Sequence, residues 1–349
     1  MAQDELTLVG TSTRYTSFKF EVLDKGLNYA GDLHPDANPV PQIENNINRT
    51  IKRTLTNVRL LPSDVAAVDP LTDRVRVSAI LQGVTYPLGV FMWVTDPGTL
   101  YSYGIIGDNG FVDLTGILDQ PLGRPVGYTA GQSTDNAIAS LAIEVGISSF
   151  NLASTGHTLG KPLSWGPEDS RMSVMSQLAN ASGCYSPFFN NAGLLTTIKP
   201  PALDVSQYEY PLNENSRVVN GTLVISNDRL SSPNRWLATG TGATEAPVWA
   251  TYTVPASAPH SYENRGFYIT RTIQGQSFAS TDDAYQAARS AALSDDATYE
   301  WAEFDAIPDF RHDTFDIVSL DGVLYREQGW RIDLDHKAAM HHSLRKHYE

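Results

Sequence analysis

Apolar and polar positions alternate in short runs along the first third of the chain, and a period of two is the mark of half-buried strands. The pattern begins in Phe18-Lys19-Phe20-Glu21-Val22-Leu23-Asp24, and Lys25-Gly26-Leu27-Asn28 turns the chain. Residues 34–46 hold three prolines and three asparagines without periodicity, which predicts a loop. In residues 48–55, Ile51 and Leu55, with Val58 beyond, predict a strand facing a core, with the charges on its other face. Residues 75–81 and 85–94 alternate again around a turn at Gly83. Asp108-Asn109-Gly110, between two apolar runs, predicts a hairpin, because a type I′ turn needs positive φ at both central positions. Strands at such short spacing predict a barrel or sandwich over residues 15–132, preceded by an exposed arm at 1–14.

The period changes near Ser133. Ser133-Thr134-Asp135 can cap a helix over residues 136–145 that Gly146 ends. A second helix fits 168–181, with Met172, Met175, Leu178 and Ala179 on one face, and Asn190-Asn191-Ala192-Gly193 joins two short strands. Residues 133–200 therefore read as a small α+β insertion. Strands return at 218–226, 234–239 and 267–273, and Thr281-Asp282-Asp283 caps the clearest helix, 284–293. Strands at 300–305, 316–319 and 324–335 follow, the last two joined by an Asp321-Gly322 turn. A second β-rich body thus spans 201–335, with a tail at 336–349.

Charge narrows the function classes. With 39 acidic and 25 basic side chains the formal net charge is −14. Such a surface gains no counterion release from a phosphate backbone, which argues against sequence-independent nucleic-acid binding. It suits solubility, or the lining of a channel through which nucleic acid must slip. The single cysteine, Cys184, cannot form an intramolecular disulfide and reads as a packed thiol. The polar N-terminus resembles no signal peptide and no run approaches the ~18 apolar residues of a membrane span. A soluble protein made in a cytoplasm is expected.

Candidate chemistry is sparse. His336, His341, His342 and His347 crowd the C-terminus, but their five-residue gaps miss the i,i+4 spacing of helical metal ligands, so a solvated basic tail with Lys337, Arg345 and Lys346 is expected. Glu300, Glu303, Asp305, Asp309, Asp313 and Asp316 could offer the carboxylate pair of a glycosidase. Yet Glu300 precedes Trp301 and Glu303 precedes Phe304, as on a strand with one wet face. Asp108-Asn109-Gly110 lacks the flanking ligands of a calcium loop, and Gly240-Thr241-Gly242 lacks the third glycine and helix of a dinucleotide site. There is no Gly-x-Ser-x-Gly elbow and no P-loop. The expectation is a non-enzyme without cofactor, metal or catalytic residues. Trp236, Trp249, Tyr252, Tyr262 and Tyr268 gather in a loop-rich region where some are candidate contact residues.

Four stretches resemble the tail-hub, or baseplate-hub, proteins of long-tailed bacteriophages, in particular the minor tail proteins of actinobacterial phages. They are residues 20–29, Asn48-Arg49-Thr50-Ile51-Lys52-Arg53-Thr54-Leu55, residues 69–76 and Tyr86-Pro87-Leu88-Gly89-Val90-Phe91. The helix at 281–293 and a strand over 310–318 are similar to the end of hub proteins. The likeness covers about the first 95 residues and the last 70. It implies a mainly β (α+β) chain with two β-barrel domains, at 15–132 and 201–335, flanking the insertion. It implies a homotrimer whose six barrels form a pseudo-sixfold ring at the virion's tail tip, lining the DNA channel. One face of that ring would meet a hexameric distal-tail ring, the other a tape-measure end, spike or fibre. Some hubs carry a cell-wall hydrolase, for which no room is expected before Glu349. A host-surface carbohydrate-binding module, or a wall hydrolase built on the acidic cluster, are the alternatives. Arg49, Arg53 and Arg74 are expected to serve fold or assembly through pairing with carboxylates.

Overall fold

In a computed structural model, residues 16–348 are described except 37, 95–99, 102–103, 106–109, 215, 242–246 and 279. The arm at 1–14, the Asp108-Asn109 turn and Gly242 lie outside the described residues. The chain is mainly β. Thirteen strands join in one sheet whose main path runs from Val224–Asn227 through Glu300–Ala306, Met340–Lys346, Val323–Asp333, Gln42–Asn46, Arg53–Thr56, Phe111–Asp113, Val84–Trp93, Arg74–Leu81 and Thr16–Leu23 to Tyr29–Leu33. Tyr208–Tyr210 and Ile317–Leu320 branch from Val323–Asp333. Among the described residues no pairing closes this sheet into a barrel.

The two predicted β bodies are thus continuous through one seam. Val323–Asp333 pairs antiparallel with Gln42–Asn46, setting Ile332 opposite Ile43 and Trp330 opposite Asn45. Gln42–Asn46 falls in the stretch expected to be a loop. Its side chains are mostly polar, so it carries no strand signal, and pairing with Val323–Asp333 on one edge and Arg53–Thr56 on the other holds it instead, with Ile43 and Asn45 buried. Gly329 stands at the closest approach: a Cβ there would collide with the backbone carbonyl of Asn45.

Two cores lie along the sheet. One gathers Phe20, Val22, Ile43, Leu55, Val75, Val77, Phe91, Trp330 and Ile332, and so draws on both ends of the sequence. The other gathers Tyr210, Phe304, Val318, Leu320, Tyr325 and Leu344. The expected strands at 18–24, 75–81 and 85–94 form as Thr16–Leu23, Arg74–Leu81 and Val84–Trp93. The strand expected over 48–55 is shorter, Arg53–Thr56, and the reading that its charges lie on the face opposite Leu55 is corrected for Arg53, which shares the buried face with Leu55, while Lys52 beside it is buried as well.

The insertion has its own core of Leu118, Leu122, Val126, Ile138, Leu141, Met172, Met175 and Leu178, which begins before residue 133. Its helices, Thr134–Ile143 and Arg171–Ala181, start at Ser133 and Ser170, whose side chains accept from Asn136 N and Ser173 N. Beyond it, Arg235–Thr241, Pro247–Thr253 and Thr270–Ser277 form a separate three-stranded sheet. The helix Thr281–Ser294 buries Ala284, Ala287, Ala288 and Ala292 against it. Alanines on that stripe let helix and sheet approach closely. Among the described residues no helix is long and apolar enough to cross a membrane.

The 336–349 tail is a further correction. Met340–Lys346 is an interior strand between Glu300–Ala306 and Val323–Asp333. Strand alternation sends His341 to the outer face, where its Nδ1 lies 2.8 Å from Asp305, and His342 into the core. His347 is buried as well. Helical spacing does not apply to a strand, where the period of two sends neighbouring histidines to opposite faces.

Candidate functional site

The strand expected over 310–318 is instead an irregular loop at 307–316, and this loop is where the parts of the molecule meet. From the N-terminal half, buried Arg53 donates to Asp313 Oδ1 at 2.9 Å. Asn45 donates to Thr314 Oγ1 at 3.1 Å, and the Trp330 indole N–H donates to the Asp313 carbonyl at 3.1 Å. From the insertion, the Asn191 backbone N–H reaches Asp313 Oδ2 at 3.0 Å and its amide donates to the His312 carbonyl at 2.8 Å. Phe315 then inserts its ring between Tyr185, stacked at 4.0 Å, and Phe188. It does so with φ at 69°, a left-handed conformation that a phenylalanine adopts only under tertiary constraint.

Beneath the loop lies a buried polar cluster. Glu327 Oε2 is 2.7 Å from His312 Nδ1 and its Oε1 is 2.6 Å from His342 Nδ1. The Tyr210 hydroxyl is 2.9 Å from His312 Nε2 and 3.3 Å from His342 Nε2. All four side chains are almost wholly buried. Burial alone would push the Glu327 carboxyl up, but the two imidazoles beside it hold it down at about 2. Burial disfavours charge on both histidines. For His312 it is outweighed by Glu327, Asp316 and Asp309, and the pKa rises; for His342, also repelled by His312 and His341, it falls. Asp316 is pushed up to about 7 by burial.

His312, Glu327 and His342 bring potential metal-ligand atoms within 4.8 Å of one another. The nitrogen–oxygen separations are those of charge-assisted hydrogen bonds, shorter than the ~3.3 Å between neighbouring ligands on a tetrahedral ion whose bonds are about 2.0 Å. The donor set fits a hydrogen-bonded ring better than a metal centre. No signal in sequence pointed here: the four residues lie at 210, 312, 327 and 342, and only the sheet register brings them together.

The other candidates are dispersed. Arg49 pairs with Glu44 on the surface and Arg74 donates to the Asp73 carbonyl, so Arg53 alone of the three reaches the junction. The six acidic residues do not face one another across a cleft. Glu300 accepts from Tyr325, Asp305 meets His341, Asp309 is held by Arg311 and Arg217, and Asp313 by Arg53. Cys184 is buried, and burial raises its thiol pKa. Trp236 is buried too and donates to Asp295 at 2.7 Å, whereas Trp249 stays 59% exposed on the outer face of the three-stranded sheet. Tyr262 and Tyr268 stack at 4.6 Å, and Arg235 covers the Tyr268 ring at 4.2 Å.

No protein-family model and no curated protein matches the sequence. Solved structures match the fold from end to end. The tail protein of Neisseria meningitidis MC58 superposes with a TM-score of 0.63 at 12% identity, covering 95% of this chain and 97% of that one. The fold is therefore that of phage-type tail proteins, as the sequence resemblance implied. The 43 kDa tail protein of prophage MuSo2 from Shewanella oneidensis gives 0.59 at 11% identity, covering 95% and 98%. The prophage tail protein gp18 of Listeria monocytogenes EGD-e gives 0.57 at 12% identity, covering 95% of each chain.

Proposed function

We propose that this chain is a structural subunit of a phage tail tip, a hub that assembles as a trimeric ring between the tail tube and the threefold tip components. The observation that carries this reading is the end-to-end likeness to three tail proteins, each covered over at least 95% of its length. The acidic balance suits a ring that lines a channel for DNA without holding it.

In this reading the two cores along the long sheet are the centres of two barrel-like bodies per chain, with six per ring. The ring's partners are a distal-tail ring on one face and a tape-measure end, spike or fibre on the other. A cyclic trimer needs head-to-tail interfaces whose rotation closes. The main path of the sheet ends at two strands, Tyr29–Leu33 and Val224–Asn227, that pair on one side only among the described residues, as does the branch strand Tyr208–Tyr210. Neighbouring subunits covering these edges would remove a hazard of free strands.

Size exclusion with light scattering tests the proposal. Three copies of 38.2 kDa give about 115 kDa. A species of that mass alone, or a complex heavier by that mass than the distal-tail ring when the ring is added, is expected; a chain that stays monomeric in both conditions overturns the hub. A second reading, binding of host-surface carbohydrate, rests on the exposed Trp249, Tyr262, Phe267 and Tyr268. It requires glycan-array binding that Trp249→Ala abolishes while the fold is kept. A wall hydrolase draws no support from carboxylates that are each engaged by their own partners, and a turbidity assay on cell walls should show no clearing.

A further inference from the structure

The four hydrogen bonds among Tyr210, His312, Glu327 and His342 form a closed ring, and its protons can be counted. An ionised Glu327 only accepts, so both Nδ1 atoms carry hydrogen. The phenol has one hydrogen and can donate to one Nε2. Its second bond exists only if the other Nε2 carries a hydrogen and donates to the phenol oxygen. The complete ring therefore contains one carboxylate, one neutral imidazole and one imidazolium, with zero net charge. That is the balance a buried site favours. Two neutral imidazoles would leave a lone pair against the phenol oxygen; two imidazoliums would leave a buried net charge.

The surroundings place the cation on His312. Asp316 lies 3.6 Å from its Nδ1, with Asp309 also near, and Tyr208 stacks on its ring at 3.7 Å. His342 lies against Phe304 and takes its place beside His341, which pairs outward with Asp305. Arg217 covers the Tyr210 ring at 5.8 Å while holding Asp309, and Arg311 also holds Asp309. Arg326, next to Glu327, is turned away to the Pro201 carbonyl, and Asp313 is held by Arg53.

We propose that this ring is a proton-operated latch: the single imidazolium on His312 fastens the 307–316 loop to the strands Tyr208–Tyr210, Val323–Asp333 and Met340–Lys346, and gain or loss of one proton releases it. Because Asn191 bonds to His312 and Asp313, and Phe315 packs on Tyr185, releasing the loop also loosens the insertion from the main sheet. The inference concerns the proton state of this chain and stands whether or not the chain is a tail hub.

Nitrogen-15 NMR of the full chain, labelled at its eight histidines, tests it first on the unaltered protein. Near pH 7, His312 is expected with both ring nitrogens protonated and His342 with hydrogen on Nδ1 alone. Amide exchange read alongside is expected to show Asn191 and Asp313 losing protection at least about tenfold, after correction for intrinsic rates, as the pH is lowered from about 7 past the ordinary imidazole value of 6.5 and His342, held below it, takes up a proton. Tyr210→Phe, which removes the bridging oxygen but leaves Glu327, Asp316 and Asp309 in place, is expected to keep His312 protonated near pH 7, to lower the protection of Asn191 and Asp313 there, and so to flatten that pH dependence. Two neutral rings in the unaltered chain, a stoichiometric metal found by elemental analysis, or protection that does not change with pH would each overturn the latch. If Tyr210→Phe does not fold, the unaltered chain decides alone.

Discussion

Arg53 donates to Asp313 at 2.9 Å across 260 positions of sequence. The guanidinium is 1% exposed and lies over the Trp330 ring. The pair therefore ties the N-terminal strands to the loop that also holds the insertion. Arg53→Ala removes the cation, leaves Asp313 without it and opens space beside Trp330. A loss of about 2–3 kcal/mol is expected, read as a lowered denaturant midpoint. Arg53→Lys should recover only part, because an ammonium cannot reproduce the planar contact. An Arg53→Ala protein with unchanged stability and unchanged assembly would refute the role given to this residue.

Gly329 is required by proximity, not by its backbone angle. Gly329→Ala places a methyl group against the Asn45 carbonyl, and backbone cannot swing aside as a side chain can. The seam between Val323–Asp333 and Gln42–Asn46 should weaken by about 1–3 kcal/mol or more. Hydrogen exchange at Ile43 and Ile332, which face each other across that seam, should rise.

Trp236 and Trp249 lie on opposite faces of one small sheet. Trp236→Ala should cost about 3–5 kcal/mol, since it empties a core position and leaves Asp295 without its indole donor. Trp249→Ala should change the melting temperature little, because exposed positions are usually worth within about 0.5 kcal/mol. The comparison separates packing from contact: a glycan-binding defect in Trp249→Ala would come with a normal melting curve.

Acid should destabilise the fold by a route that is separate from the carboxylates. Burial pushes the imidazole of His260 down to about 4 and that of His347 to about 3, below the ordinary value of 6.5. The unfolded chain binds these protons first. Their contribution is therefore fully present above about pH 6.5 and is lost as pH falls toward the folded values, at up to about 1.4 kcal/mol per unit for each group. Melting temperature followed from about pH 8 to pH 4 should fall below pH 6.5, and His347→Gln should reduce the slope.

Local chemistry made much of this architecture legible. The alternation at 18–24, 75–81 and 85–94, the serine before the helix at Thr134–Ile143, and the Asp321-Gly322 turn each form as the residues dictate, with Asp321 and Gly322 both at positive φ. Period and capping act within a few residues, so they can be read without knowing what lies across the core. The same locality explains the misses. Gln42–Asn46 looks like a loop because its stabilising partners, Val323–Asp333, are almost three hundred positions away. His342 looks like part of a solvated tail because its carboxylate partner arrives on another strand.

Sequence alone determined the period, the turns, the net charge and the resemblance to tail proteins. Only the tertiary structure decided which polar residues are interior. Burying Arg53, Glu327, His312 and His342 costs more than any local preference can return, and it becomes favourable only when their partners are delivered from distant strands in the right register. The junction at 307–316 is accordingly a property of the whole sheet, and no segment of the chain carries it by itself.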